Sequence, residues 1–198
     1  MIMKSKQLRG WLIASIFVGV GKYLFNLCKL FMHLPTTIPE VLLTSAMPLC
    51  TLMVGLILVS NYQENVIRKW GGWLFVALSC LGFVTRAYTL IDLMTATEIR
   101  SMLISVCIAS VRGSIEVLAY ILIALSYKNR EMRNWGILYA CFEALFVLGG
   151  WKYYINGPGN MFLYAGVVPF CGIVCLTIYY VQWIKALGCE MKETATQR

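Results

Sequence analysis

The stretch LISVCIASVRGSIEVLAYILIALSY, residues 103–127, decides the fold class because it has the length of a membrane span and two charges near its middle. As a helix it would be about 37 Å long, enough to cross a hydrocarbon core of roughly 30 Å. On insertion scales a central charge costs roughly 2.5–3.5 kcal/mol, whereas each Leu, Ile or Val returns only about 0.3–0.6 kcal/mol. Arg112 and Glu116 therefore require partners inside a bundle of helices.

The composition extends this interpretation to the whole chain. Of its 198 residues, 60% are hydrophobic and 13% are charged, whereas roughly a quarter of a soluble domain is charged. The apolar residues fall into six blocks of membrane-spanning length, separated by charged, Gly or Pro residues, which is typical of helices rather than of a transmembrane β-barrel. We predict one all-α domain over residues 1–198, a bundle of six transmembrane helices with short loops. The predicted spans are about 11–33, 40–61, 70–93, 102–127, 135–155 and 161–185.

The distribution of basic residues predicts the orientation of these spans. The formal net charge is +8, and the basic residues precede the first span, follow the last, and fill the second and fourth loops. The other loops carry chiefly Arg100 and Lys152. By the positive-inside rule both termini are expected in the cytoplasm. The compact chain and minimal loops favour a bacterial cytoplasmic (inner) membrane. Nucleic acid is not expected as a partner, because no basic patch with interleaved aromatic residues stands outside the membrane.

Polar residues of the first span lie on one helical face. At 100° per residue they fall within roughly 40° of a single line. These residues are Ser15, Gly19, Lys22, Asn26, Lys29 and His33. Stripes of small and polar residues recur on the other spans. Such stripes are either helix-packing surfaces or the walls of a polar cavity, and in both cases we expect them to face one another.

Five charged residues lie well inside the predicted spans: Lys22, Arg86, Arg112, Glu116 and Glu143. Three bases against two acids leave a surplus of one positive charge. Either Lys22 is uncharged, or an anion or a water-filled cavity compensates the surplus. Arg112 precedes Glu116 by four residues, the less favourable order for a pair within one helix, so we expect at least one of them to reach a neighbouring helix.

Two functions are compatible with this cluster. The first is a transporter or channel that moves a small polar or anionic solute, working as a homo-oligomer or with a membrane-protein partner in the lipid bilayer. Its path would be lined by Lys22, Asn26, Arg86, Arg112, Glu116 and Glu143, with outer-mouth candidates Lys29, His33 and Asp92. The alternative is a non-enzymatic membrane subunit or regulator, in which the charge network only fixes the register of the helices.

Enzyme chemistry finds little support in the sequence. His33 is the only histidine and lies at a predicted outer boundary, so a serine–histidine dyad buried in the membrane is not expected. Asp92 is the only aspartate, which excludes a dyad of two aspartates within the chain. Clustered Cys and His ligands and glycine-rich phosphate loops are absent from the sequence. We therefore predict no enzymatic activity, no cofactor and no metal. If Glu116 and Glu143 share a cavity, they favour proton-coupled transport rather than hydrolysis.

Overall fold

The computed structural model describes residues 2–32, 35–61, 65–95, 102–157 and 167–196. Every regular element within these ranges is helical. The helices are α1 (Ile2–Met32), α2 (Ile38–Thr44), α3 (Ala46–Asn61), α4 (Val66–Thr95), α5 (Met102–Ser126), α6 (Arg130–Asn156) and α7 (Val168–Thr196).

Local sequence signals explain several helix ends. The Asn129 side chain accepts a hydrogen bond from the Met132 backbone N–H (3.2 Å) and so caps the start of α6. Gly157 ends α6 with φ of 74°, in the left-handed region that favours glycine. Pro48 lies four residues after Thr44, and a proline ring clashes with the carbonyl four residues before it. This clash accounts for the turn at Ser45 that separates α2 from α3, a break that the predicted span 40–61 did not anticipate.

The helices form a closed ring. Each one packs against the next, with α2 and α3 acting as one member, and α7 returns to pack against α1. Short connections between successive members make neighbours antiparallel. The start of α1 and the end of α7 therefore lie at one end of the bundle, which we call the terminal end; the opposite end is the distal end.

The packed core occupies the half of the bundle near the terminal end. Its centre is an aromatic layer formed by Phe75, Tyr120, Tyr139, Tyr179, Tyr180 and Trp183. Neighbouring rings in this layer have centroids 4.7–6.4 Å apart. Close helix contact supports the layer: a Cβ atom on Gly55 of α3 would lie 2.8 Å from the backbone oxygen of Gly72 on α4.

The outside of the ring is apolar. In the most apolar window of each candidate span, only 17% to 44% of the residues are buried inside the bundle. Large side chains such as Phe17, Leu43 and Leu148 are more than 60% exposed. A surface of this kind requires contact with lipid, so the chain is an integral membrane protein with a transmembrane helical bundle.

Among the described residues, with α2 and α3 counted as one, five helical segments are long and apolar enough to cross a membrane: Ser5–Lys29, Ile38–Asn61, Val66–Thr95, Leu103–Ser126 and Val168–Glu190. Helix α6 is not among them, because Glu143 interrupts its apolar run and Gly149, Gly150 and Lys152 follow. The sixth crossing is therefore a prediction that apolarity alone does not establish. The start of the predicted span 161–185 lies partly outside the described residues.

Candidate functional site

A central cavity of about 370 Å³ lies in the distal half of the ring. This volume is within the range of roughly 300–1,000 Å³ that is usual for small-molecule sites. Every member of the ring contributes to its wall, from Lys22 on α1 to Pro169 on α7. The single contributions of α3 and α4 are Met47 and Thr85. We call this cavity the large compartment.

A smaller cavity of about 150 Å³ adjoins it on the side of α3 and α4. The two cavities share lining residues Lys22, Met47, Thr85, Arg112 and Glu116. We call the second cavity the small compartment. The shared side chains form the partition between the two compartments.

The structure brings the predicted path residues together around these compartments. Lys22, Asn26, Arg112, Glu116 and Glu143 line the large compartment. Arg86 lines the small compartment, together with Lys22, Arg112 and Glu116. We refer to the five ionisable residues among the six, Lys22, Arg86, Arg112, Glu116 and Glu143, as the charge cluster.

One part of the charge cluster is linked by contacts. The Tyr139 hydroxyl on α6 donates a hydrogen bond to Glu116 Oε1 (2.6 Å), while Arg112 Nη2 lies 3.8 Å from Glu116 Oε2. Glu116 thus reaches a neighbouring helix as well as its own. The 3.8 Å separation is long for an ion pair, and 38% of the Arg112 side chain is exposed. Glu116 therefore engages the Arg112 guanidinium only weakly, and part of the Arg112 side chain stays exposed.

Three members of the cluster are not linked in this way. Lys22, Arg86 and Glu143 have no hydrogen-bond or ion-pair partner within the part of the chain that the structure describes. Lys22 still lies within electrostatic range of Arg86, Arg112, Glu116 and Glu143. If all five groups are ionised, three positive and two negative charges leave a net charge of +1 around the two compartments.

The aromatic layer lies between the compartments and the terminal end. Tyr139 lines the large compartment and Tyr120 lines the small one. Hydrogen bonds connect this layer further: the Tyr120 and Tyr180 hydroxyl oxygens are 2.5 Å apart, and the Trp183 indole donates to the Tyr127 hydroxyl (2.8 Å). Tyr179 and Trp183 are completely buried. The layer therefore closes the cavity toward the terminal end.

The three outer-mouth candidates have different surroundings. Lys29 forms a salt bridge with Glu40 (2.7 Å) and a hydrogen bond to Thr36 (2.9 Å), which tie the end of α1 to the start of α2. Asp92 is half-buried near the end of α4. Neither residue lines a compartment. His33 lies outside the described residues.

Sequence reasoning missed the residues that complete the site. Tyr139 donates to Glu116, and Phe142 and Phe146 form part of the wall of the large compartment. A signal for them existed, because Tyr139 and Phe146 lie four residues before and three residues after Glu143 on the same helical face. They were overlooked because aromatic residues on a span resemble ordinary core or lipid-facing residues.

The arrangement can bind charged and polar groups. Among the described residues no group of three or more His, Cys, Asp or Glu side chains is placed to hold a metal ion. No protein-family model, curated protein or solved structure matches the chain. Any assignment of function therefore depends on the cavity itself.

Proposed function

We propose that the protein is a small transporter that binds a solute carrying an anionic group in its central cavity and moves it across the membrane. The observation that carries the proposal is the cluster of Lys22, Arg86 and Arg112 around two compartments whose described lining contains two acids. An uncompensated positive charge in a low-dielectric site is costly, and an anionic ligand offsets that cost. Ionisable residues inside a membrane domain commonly mark a solute or ion pathway.

Several features fit a transport cycle. The compartments lie on the distal side of the aromatic layer, which in the proposed cycle closes them toward the terminal end. Within the described residues the completely buried hydroxyl of Tyr179 has no hydrogen-bond partner. An unpaired buried hydroxyl costs about 1–3 kcal/mol, which lowers the energy needed to rearrange this layer. In the proposed cycle, the layer opens once the solute neutralises the charge cluster.

The proposal includes a six-span topology with both termini in the cytoplasm of a bacterium, and no enzymatic activity. Helix α6 supports the sixth crossing because it occupies a place in the ring between α5 and α7. Homo-oligomerisation remains a prediction from the sequence. Solute binding does not require it, because all the helices that line the large compartment belong to one chain.

The direct test is uptake by the purified protein in liposomes. Radiolabelled acetate, phosphate, sulfate and leucine serve as probes, each in counterflow against the same unlabelled compound. We expect at least one probe to enter faster than it enters empty liposomes. Arg86→Gln should abolish the difference. The matched control is Arg133→Gln, which removes the same charge from an exposed position on α6. Background rates for every probe would refute the transport proposal.

The second candidate is the membrane subunit or regulator, and the linked contacts of Glu116 favour it. A network that only sets helix register tolerates replacement by apolar residues of similar size. Arg112→Leu combined with Glu116→Leu distinguishes the two functions. If the protein folds and uptake persists, the pair is structural and our site assignment is wrong. If the protein folds and uptake is lost, the pair belongs to the transport path.

A further inference from the structure

The large compartment holds two opposite charges that do not pair with each other. Lys22 projects from α1 and Glu143 from α6, and no ion pair or hydrogen bond within the described chain engages either side chain. The two helices are not neighbours in the ring, since α7 packs between them. The scaffold therefore keeps an acid and a base apart on opposite sides of the large compartment, although opposite charges attract each other.

The small compartment carries more positive than negative charge, since three bases and one acid, Glu116, line it. All three bases of the charge cluster, Lys22, Arg86 and Arg112, line the small compartment. Glu143 lines only the large compartment. Its Oε1 atom lies 3.6 Å from the position that a Cβ atom would occupy on Gly113, the residue next to Arg112. The site thus has a positive pole, and a carboxylate placed a short distance from it.

The donors at the positive pole are the bases themselves. The hydroxyls of Thr51, Ser79 and Thr85 also line the small compartment, but each donates its proton to a backbone carbonyl of its own helix. These three hydroxyls have no further proton to offer to an anion, and the Tyr120 hydroxyl, which also lines this compartment, is hydrogen-bonded to Tyr180. Binding of an anionic group at this pole therefore depends on the bases.

The remaining wall of the large compartment is largely apolar. Its apolar members on α5, α6 and α7 include Ile108, Phe142, Phe146, Ile173 and Leu176. A hydrocarbon or aromatic group placed against this wall gains from removal of its apolar surface from water. The cavity consequently offers a group of bases, two carboxylates and an apolar surface. Of the two carboxylates, Glu116 is already engaged by Tyr139 and Arg112, whereas Glu143 has no partner among the described residues.

We infer that the solute is a zwitterion of the apolar amino-acid type. Its carboxylate binds Lys22, Arg86 and Arg112, its ammonium group binds Glu143, and its apolar side chain lies against the wall formed by α5, α6 and α7. This inference rests on the proposed transport function and narrows its substrate class. It explains why Glu143 is present in a site that otherwise attracts anions.

Three matched compounds test the inference on the purified full-length chain in detergent micelles. They are L-leucine, 4-methylpentanoate, which lacks the amine, and 3-methylbutylamine, which lacks the carboxylate. Titration calorimetry measures their affinities. We expect leucine to bind at least tenfold more tightly than either analogue. Only leucine carries both a carboxylate for the three bases and an ammonium group for Glu143.

Two substitutions test which residue binds the ammonium group of the solute and which binds its carboxylate. Glu143→Gln should weaken leucine binding about tenfold and leave 4-methylpentanoate binding unchanged or tighter. Lys22→Gln should weaken the binding of both carboxylates. Glu131→Gln, an exposed position on the same helix as Glu143, is the matched control and should change nothing. Neither cavity substitution removes a partner from another described side chain, so both variants are expected to fold.

Each alternative result has a distinct meaning. If 4-methylpentanoate binds as tightly as leucine and Glu143→Gln has no effect, the zwitterion inference is wrong and the anion-binding proposal stands. The same holds if phosphate or sulfate binds while none of the three compounds does. If no compound binds, phosphate and sulfate included, both the inference and the proposed function fall.

Discussion

Tyr139 is the residue that connects the charge cluster to the aromatic layer. Its hydroxyl donates to Glu116 at 2.6 Å, and its ring contacts Tyr120 with centroids 4.7 Å apart. Tyr139→Phe keeps the ring and removes the donor. We expect the free energy of unfolding to fall by about 1–2 kcal/mol, the upper part of the range for hydrogen bonds between membrane helices. Unfolding by SDS in mixed micelles measures this, and Tyr153→Phe, at an exposed position, is the control.

Replacement of Lys22 should raise the stability of the protein, whereas replacement of Tyr139 should lower it. Because its ammonium group has no ion-pair partner among the described residues, Lys22→Met removes an uncompensated charge from the bundle interior. We expect the free energy of unfolding to rise by about 0.5–2 kcal/mol while solute uptake is lost, the trade-off typical of a functional site. The same SDS titration, run beside the uptake assay, measures both effects. A loss of stability would indicate that Lys22 is a structural residue.

At the scale of single elements, the contact between α3 and α4 controls how tightly the ring closes. A Cβ atom on Gly55 would meet the Gly72 backbone oxygen at 2.8 Å, and a backbone atom cannot move aside cheaply. Gly55→Ala should therefore lower the free energy of unfolding by about 1–3 kcal/mol, as overpacking does elsewhere. The control is Gly21→Ala, since nothing lies within 4 Å of a Cβ atom at that position. Equal stability of the two variants would contradict the close packing.

The predicted spans identify which segments are helical more accurately than they locate the helix ends. Hydropathy detects the part of a helix that suits the membrane, so the first span was predicted to begin at residue 11 although α1 begins at Ile2. Polar residues such as Lys6 and Arg9 continue the same helix beyond the apolar segment. The turn at Ser45 was missed because its cause, Pro48, acts on the preceding helical turn.

At the scale of the whole molecule, the sequence identified which residues avoid lipid but not how they meet. Helical periodicity placed Lys22 and Glu143 on polar faces of their spans. It contained no information on their separation, on the long 3.8 Å approach of Arg112 to Glu116, or on the division of the cavity into two compartments. These features depend on the order of the helices around the ring, which one-dimensional patterns do not specify.

The place of α6 in the ring predicts that its two ends lie on opposite sides of the membrane. If α6 crosses the membrane, a reporter inserted after Lys128 lies in the cytoplasm and one inserted after Gly157 lies outside. We expect alkaline phosphatase to be active only at the second position and green fluorescent protein only at the first. Neither Lys128 nor Gly157 belongs to a helix. The same activity at both positions would mean that α6 does not cross and that the chain has five spans.

The central claim is that a water-accessible cavity, lined by the charge cluster, opens toward the distal end of the bundle. Thr85 lines both compartments, whereas its neighbour Val84 is 50% exposed on the outer, lipid-facing surface at the same depth. In a background with the native cysteines replaced, a membrane-impermeant thiol reagent is added to the distal side of Thr85→Cys and Val84→Cys proteins. We predict rapid labelling at position 85 and none at position 84. No labelling at position 85 from either side would show a dry, packed interior and contradict the account.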